Sequence, residues 1–141
     1  MRKSRIVGML CVVLALPLTL AYADSCFTAR GVSASSPLTW SAIFILDSLE
    51  TTVEYNIPCC GCGTQMVWAQ LISDDEGLLF SLTDINEPCP IKGQWTSTDP
   101  VPLTPQRVQA LKDGKLSLYL MQPTCDAQWV PGDLTLESCE E

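Results

Sequence analysis

Seven of the eight cysteines lie beyond residue 23, and they are the residues with the clearest chemical potential. They are Cys26, Cys59, Cys60, Cys62, Cys89, Cys125 and Cys139. The run Cys59-Cys60-Gly61-Cys62-Gly63 follows Pro58, at a predicted turn between two strands. Two chemistries suit such a set. In an oxidising compartment the cysteines pair, and each bridge stabilises a small domain by about 2–4 kcal/mol. This is the expectation here, with Cys26 joined to Cys139 and two of Cys59, Cys60 and Cys62 joined to Cys89 and Cys125. Adjacent cysteines such as Cys59 and Cys60 do not readily bridge each other, because the peptide link is strained. Seven is odd, so one thiol is left free or pairs with a second molecule as a disulfide-linked dimer. The alternative is a thiolate cage of Cys59, Cys60 and Cys62, completed by Cys89 or Cys125. Such a cage favours copper(I) or zinc, with Met66 nearby as a soft ligand. The spacing is not a CxxC pair, and no basic residue is near to lower a thiol pKa, which argues against redox catalysis.

The compartment is read from the other end of the chain. Arg2, Lys3 and Arg5 form a basic start, Ile6 to Leu20 is an apolar run broken by Pro17, and Ala21-Tyr22-Ala23 is a small-x-small site before Asp24. That order predicts a secretory signal peptide over residues 1–23 and a secreted or periplasmic product. The run is about 15 residues long, against the roughly 20 that a membrane-spanning helix needs. Ala23-Asp24-Ser25 before Cys26 lacks the leucine-led signal for lipid attachment. Cys11 falls within the removed segment.

Cleavage after Ala23 leaves 118 residues, enough for one domain over 24–141. The leader holds three basic residues and no acidic one, so 5 basic residues remain against 16 acidic, a net charge of −11. Such a surface repels nucleic acid and anionic membranes. The chain has no histidine, which excludes Ser-His-Asp triads, Cys-His proteases and histidine-based zinc hydrolase sites. There is no glycine-rich phosphate loop. The acidic tetrapeptide Asp74-Asp75-Glu76-Gly77 lacks the spaced ligands of a calcium loop and reads as a solvated turn. No carboxylate pair stands out for acid–base chemistry. We therefore expect no enzyme, no cofactor and no resident metal.

The elements that must position these residues follow a period of two, the strand period. Strands are predicted at Cys26–Val32, Trp40–Leu49, Thr51–Ile57, Thr64–Ile72, Leu78–Ile85, Gln94–Thr98, Lys115–Gln122 and Gly132–Cys139. Trp40, Ala42, Phe44 and Leu46 share one face, and Val53, Tyr55 and Ile57 another, with Thr52, Glu54 and Asn56 opposite. Leu78, Phe80 and Leu82 share a face, and Leu116, Leu118 and Leu120, then Leu134 and Leu136, are expected to point inward. Trp40 and Trp68 are expected in the core, whereas Trp95 and Trp129 fall in loop-like stretches where exposure together would make a contact patch. One helix is signalled: Thr104 as N-cap, Pro105 at the first position, Val108 and Leu111 on one side, and Asp113-Gly114 at the end. The fold class is all-β, an antiparallel Greek-key-like sandwich of seven or eight strands with one short helix.

Several of these segments resemble the chordin-type CHRD domain, an extracellular β-rich family. Leu103-Thr104-Pro105-Gln106-Arg107-Val108-Gln109-Ala110-Leu111-Lys112-Asp113-Gly114-Lys115-Leu116-Ser117-Leu118-Tyr119 is similar to that family's short helix, glycine and strand. Pro131-Gly132-Asp133-Leu134-Thr135-Leu136 is similar to its closing strand. Thr51–Ile57 and Gly77–Leu82 fit its middle strands, so the likeness runs from about Ser41 to about Glu137. The family often has histidines on the strand that reads Trp68-Ala69-Gln70-Leu71 here, and it is not normally cysteine-rich. No metal or ligand role tied to those histidines transfers, and the resemblance implies no catalytic residue. The expectation is a secreted, disulfide-stabilised, non-enzymatic binding or structural module, with an extracellular protein or ligand as partner. The alternative is a metal- or thiol-handling protein built on Cys59, Cys60 and Cys62.

Overall fold

The computed structural model describes residues 23–33, 39–58, 66–83, 87–88, 90–122 and 126–139. These form strands β1 (Ser25–Val32), β2 (Thr39–Leu46), β3 (Thr52–Ile57), β4 (Met66–Ser73), β5 (Gly77–Ser81), β6 (Glu87–Pro88) and β7 (Ile91–Thr96). Helix α1 (Pro105–Lys112) follows, then β8 (Leu116–Gln122), β9 (Asp126–Asp133) and β10 (Thr135–Glu137). Eight of the strands have five residues or more, and β6 and β10 are short additions. The order is β10-β1-β2-β3-β7 in one sheet and β5-β4-β8-β9 in the other, with β6 beside β4. Every pairing is antiparallel. The all-β sandwich read from the alternation is the observed fold.

Period-two patterning fills the space between the sheets. Phe27, Phe44, Leu46 and Val53 of the first sheet meet Val67, Leu71, Leu118 and Leu120 of the second, all buried. At one side the sandwich closes on Trp40. Its indole lies where side chains on Gly31 and Gly132 would otherwise project, and its Nε1 donates to the Val130 carbonyl at 3.1 Å. Glycine at both places lets a β2 tryptophan reach β9 in the opposite sheet. At the other side the sheet edges β5 and β7 face each other, and Phe80 and Trp95 pack with ring centroids 5.2 Å apart.

Helix α1 forms as its signals require. Thr104 Oγ1 accepts from the Arg107 amide at 3.2 Å, Val108 and Leu111 are buried, and Gly114 takes φ +74° just past the end.

Four details differ from the sequence reading. Trp95 is 1% exposed, because β7 begins at Ile91 rather than Gln94 and turns this residue inward. Trp68 lies half-buried on the outer face of β4, since Val67, Ala69 and Leu71 occupy the inner one. On β5, Leu79 is buried and Leu78 is 55% exposed, because a bulge shifts the register from Leu71–Phe80 to Ile72–Leu78. The closing stretch is not one strand. The chain leaves β9 at Asp133, buries Leu134 and enters β10 on the other sheet, where Leu136 is 63% exposed at the edge.

Candidate ligand-binding face

Cys26 and Cys139 are bridged, with Cα atoms 5.2 Å apart. The ladder brings them together: β10 pairs with β1 so that Cys26 faces Glu137, two residues before Cys139. The bridge therefore ties the first strand to the last and closes nearly the whole described chain. Cys59, Cys60, Cys62, Cys89 and Cys125 lie outside the described residues. Among the described residues, no three His, Cys, Asp or Glu side chains converge as metal ligands. No helix among them is long and apolar enough to cross a membrane.

The surface that gathers donors and acceptors is the outer face of the first sheet. Register stacks its side chains in two rows. One row runs Ile45, Glu54, Gln94 across β2, β3 and β7, and the next runs Ile43, Asn56, Lys92. The sequence alternation already turned Glu54 and Asn56 away from Tyr55. Lys92 and Gln94 join them only through the β3–β7 pairing, which has no local sequence signal. Together they line a groove of about 400 Å³, with Tyr55 and Gly93 in its wall. Ile43 and Ile45 are half-buried, and Glu54, Lys92 and Gln94 are exposed.

Two polar features mark this groove. Gln94 Nε2 donates to Glu54 Oε2 at 3.3 Å. Asn56 Oδ1 is buried and accepts no hydrogen bond among the described residues. Covering a carboxamide oxygen without a donor costs about 1–3 kcal/mol, so an orphan of this kind calls for an explanation.

Two other surfaces carry aromatic rings. Tyr55, Phe80, Trp95, Pro100 and Val101 line a smaller cleft of about 250 Å³ at the open side of the sandwich. Trp95 Nε1 already donates to the Val101 carbonyl there, at 2.8 Å. On the outer face of the second sheet, Trp68 and Trp129 pack with centroids 5.3 Å apart. Trp129 thus meets Trp68 rather than Trp95.

The charged groups elsewhere serve the scaffold. Arg107 grips both carboxylate oxygens of Glu76, at 2.9 and 3.2 Å, and donates to the Pro102 carbonyl at 2.7 Å. This hydrogen bonding, with the guanidinium charge, holds the Glu76 carboxyl below its ordinary value despite some desolvation. Lys115 reaches Asp75 at 3.5 Å, and the acidic turn is exposed along its whole length, as expected of a solvated turn. Burial acts to raise the Asp47 pKa. Hydrogen bonds from the Thr51 hydroxyl and from the amides of Thr51, Thr52 and Glu50 outweigh it, and the net direction is down. Lys112 pairs with Glu50, which itself takes φ +61°.

Compared with known proteins, the chain matches no family model, no curated protein and no solved structure.

Proposed function

We propose that the chain is a secreted, disulfide-stabilised binding module that acts without catalysis, of the kind its CHRD resemblance implies. Its ligand face is the outer surface of β2, β3 and β7. The observation that carries this reading is the groove itself, where Glu54, Asn56, Lys92 and Gln94 gather beside Ile43 and Ile45. The terminal Cys26–Cys139 bridge suits an oxidising compartment and a small rigid scaffold.

The reading is tested by nuclear magnetic resonance on the isotope-labelled mature chain, screened against a mixed set of small polar, apolar, peptide and sugar probes. Shifts should cluster on Ile43, Ile45, Glu54, Asn56, Lys92 and Gln94. Shifts confined to the Trp68–Trp129 face or to the Trp95 cleft would refute the assignment of the face. Turnover of any probe would refute the non-catalytic role.

A further inference from the structure

We infer that the free edge of β7 is a docking site for an extended peptide segment, which adds as an antiparallel strand and sets one apolar side chain into the cleft beside Trp95. Hydrogen bonds at the end of β7 show where its main-chain groups point. The Thr96 amide donates to Asp99 Oδ2 at 2.7 Å, and the Thr96 carbonyl accepts from the amides of Asp99 at 3.3 Å and Leu103 at 3.0 Å. Thr96 therefore turns both groups away from β3. In an antiparallel pair this direction alternates along the strand, so Gln94 and Lys92 turn theirs outward too, while Trp95, Gly93 and Ile91 bond to β3. The 97–103 loop covers Thr96. Among the described residues, nothing bonds to the outward amides and carbonyls of Lys92 and Gln94.

The other edges among the described residues are short or broken. Strand β10 has three residues, β9 carries Pro131, which has no N–H to offer, and β5 is bulged against β4. Strand β7 pairs with β3 through six consecutive residues without a shift, so its outer side is a regular template. Lys92 and Gln94 stand about 7 Å apart. That is the footprint of a short extended segment, whereas a stable interface between two folded copies buries about 1,200 Å² or more. Two amides and two carbonyls in strand spacing are matched by an extended backbone, which brings a donor and an acceptor on each residue.

Side chains set the rest of the ligand. Residues directly opposite each other in an antiparallel pair share a face. A ligand residue opposite Gly93 thus points to the inner side, where Tyr55, Phe80, Trp95, Pro100 and Val101 line the cleft of about 250 Å³. Because Gly93 has no side chain, the Tyr55 phenol lies across it and carries the aromatic wall out to the edge. Trp95 Nε1 is already spent on the Val101 carbonyl, so the cleft suits phenylalanine or leucine. The ligand residues on either side face outward, beside Gln94 and Lys92. Lys92 has no carboxylate partner among the described residues, whereas Arg107, Lys112 and Lys115 each hold one. A ligand carboxylate opposite Lys92 supplies it.

The test uses the mature full chain and a capped pentapeptide, Ser-Thr-Phe-Glu-Thr, with phenylalanine set opposite Gly93 and glutamate opposite Lys92. Nuclear magnetic resonance should show shifts at the Lys92 and Gln94 backbone amides and at the Phe80 and Trp95 rings. N-methylation of the peptide residue on either side of phenylalanine removes a donor aimed at β7 and should weaken binding about tenfold or more. N-methylation of the phenylalanine, whose N–H points away, should leave binding intact. Gln94→Pro removes an outward N–H that the β3 ladder does not use, and should abolish binding while the melting temperature holds. The N-methylated series, on the unaltered protein, does not depend on that variant folding. A peptide with lysine in place of glutamate should bind more weakly, and Lys92→Glu should restore it. Equal effects of the two kinds of methylation, or peptide shifts confined to the outer groove, would overturn the docking site. A free protein that is a dimer and is split by Gln94→Pro would make the occupant a second copy rather than a peptide. Shifts of the groove by other probes are read separately, so the edge and the outer face stand or fall independently.

Discussion

Removing the terminal bridge with Cys26→Ala and Cys139→Ala together should be strongly destabilising. The bridge spans a sequence separation of 113 residues. Loop-closure entropy scaled to that length gives about 5 kcal/mol, acting mainly by restricting the unfolded chain. Further bridges nested inside the loop would shorten it effectively and bring the figure toward about 3 kcal/mol. Small domains have about 5–15 kcal/mol in all, so the loss takes a large share. The native geometry should survive, because β10 remains paired to β1 through Cys26–Glu137, Phe27–Leu136 and Thr28–Thr135. Urea unfolding without reductant, followed by the fluorescence of buried Trp40 and Trp95, reads the effect. The midpoint should fall, and the dependence on urea should steepen, because the unlinked unfolded chain exposes more surface. In a thermal scan the same loss is about 12–20 °C. A double variant within about 1 kcal/mol of the parent, or a parent in which Cys26 reacts as a free thiol, would refute the reasoning.

Other changes probe the remaining links. Gly132→Ala places a methyl group against the Arg30 carbonyl and the Trp40 ring, neither of which can move, and should cost about 2–3 kcal/mol. Gly93→Ala meets only the Tyr55 phenol and should cost less, about 1 kcal/mol; urea midpoints in the reverse order would contradict the packing described. The carboxyls of Glu76 and Asp47 are held below their ordinary values in the folded state. Each therefore adds stability that is present above the unfolded pKa and is lost as pH falls through the folded one. Denaturation midpoints should decline below about pH 4.5, the ordinary Glu76 value, and Glu76→Gln should flatten part of that decline; an unchanged slope counts against the Arg107 clamp. Intact mass should place the mature N-terminus at Asp24. Thiol titration under denaturing, non-reducing conditions should then find about one reactive thiol per monomer, or none in a covalent dimer. Three or more free thiols with stoichiometric copper or zinc would instead favour the metal-handling reading of Cys59, Cys60 and Cys62.

Much of the scaffold was legible because its signals are local. The alternation Trp40-Ala42-Phe44-Leu46 in β2 and Leu116-Leu118-Leu120 in β8 puts every one of those side chains in the core, as a period of two demands. Thr104, Pro105 and Gly114 frame α1 because caps are chosen by the first and last turn alone. The errors came where a neighbouring strand, not the segment, sets the outcome. A bulge against β4 decides which of Leu78 and Leu79 is buried. Crossing between sheets decides that Leu134 is inside and Leu136 outside. For Trp68 the phase of β4 decides: Val67, Ala69 and Leu71 fill the inner face, and the large ring goes out.

The candidate site was hidden for the same reason in a stronger form. Glu54 and Asn56 read from the sequence only as the solvent side of a strand. Lys92 falls outside the predicted strands, and Gln94 only at the first position of one, Gln94–Thr98. Their adjacency exists only because β7 returns to the first sheet and pairs with β3 in one register, Asn56 against Lys92 and Glu54 against Gln94. A slip of one residue would turn Lys92 and Gln94 into the core and bring Ile91 and Trp95 out, so the core itself enforces the arrangement of the groove. Burial of Trp95 and Ile91 on the inner face of β7 thus fixes which polar groups meet on its outer face. The apolar side of β7 secures the fold, and by securing it sets the spacing of the polar groups on its outer face. Changes that loosen Trp95 packing should therefore weaken ligand binding at the groove even though Trp95 lies on the opposite side of the sheet.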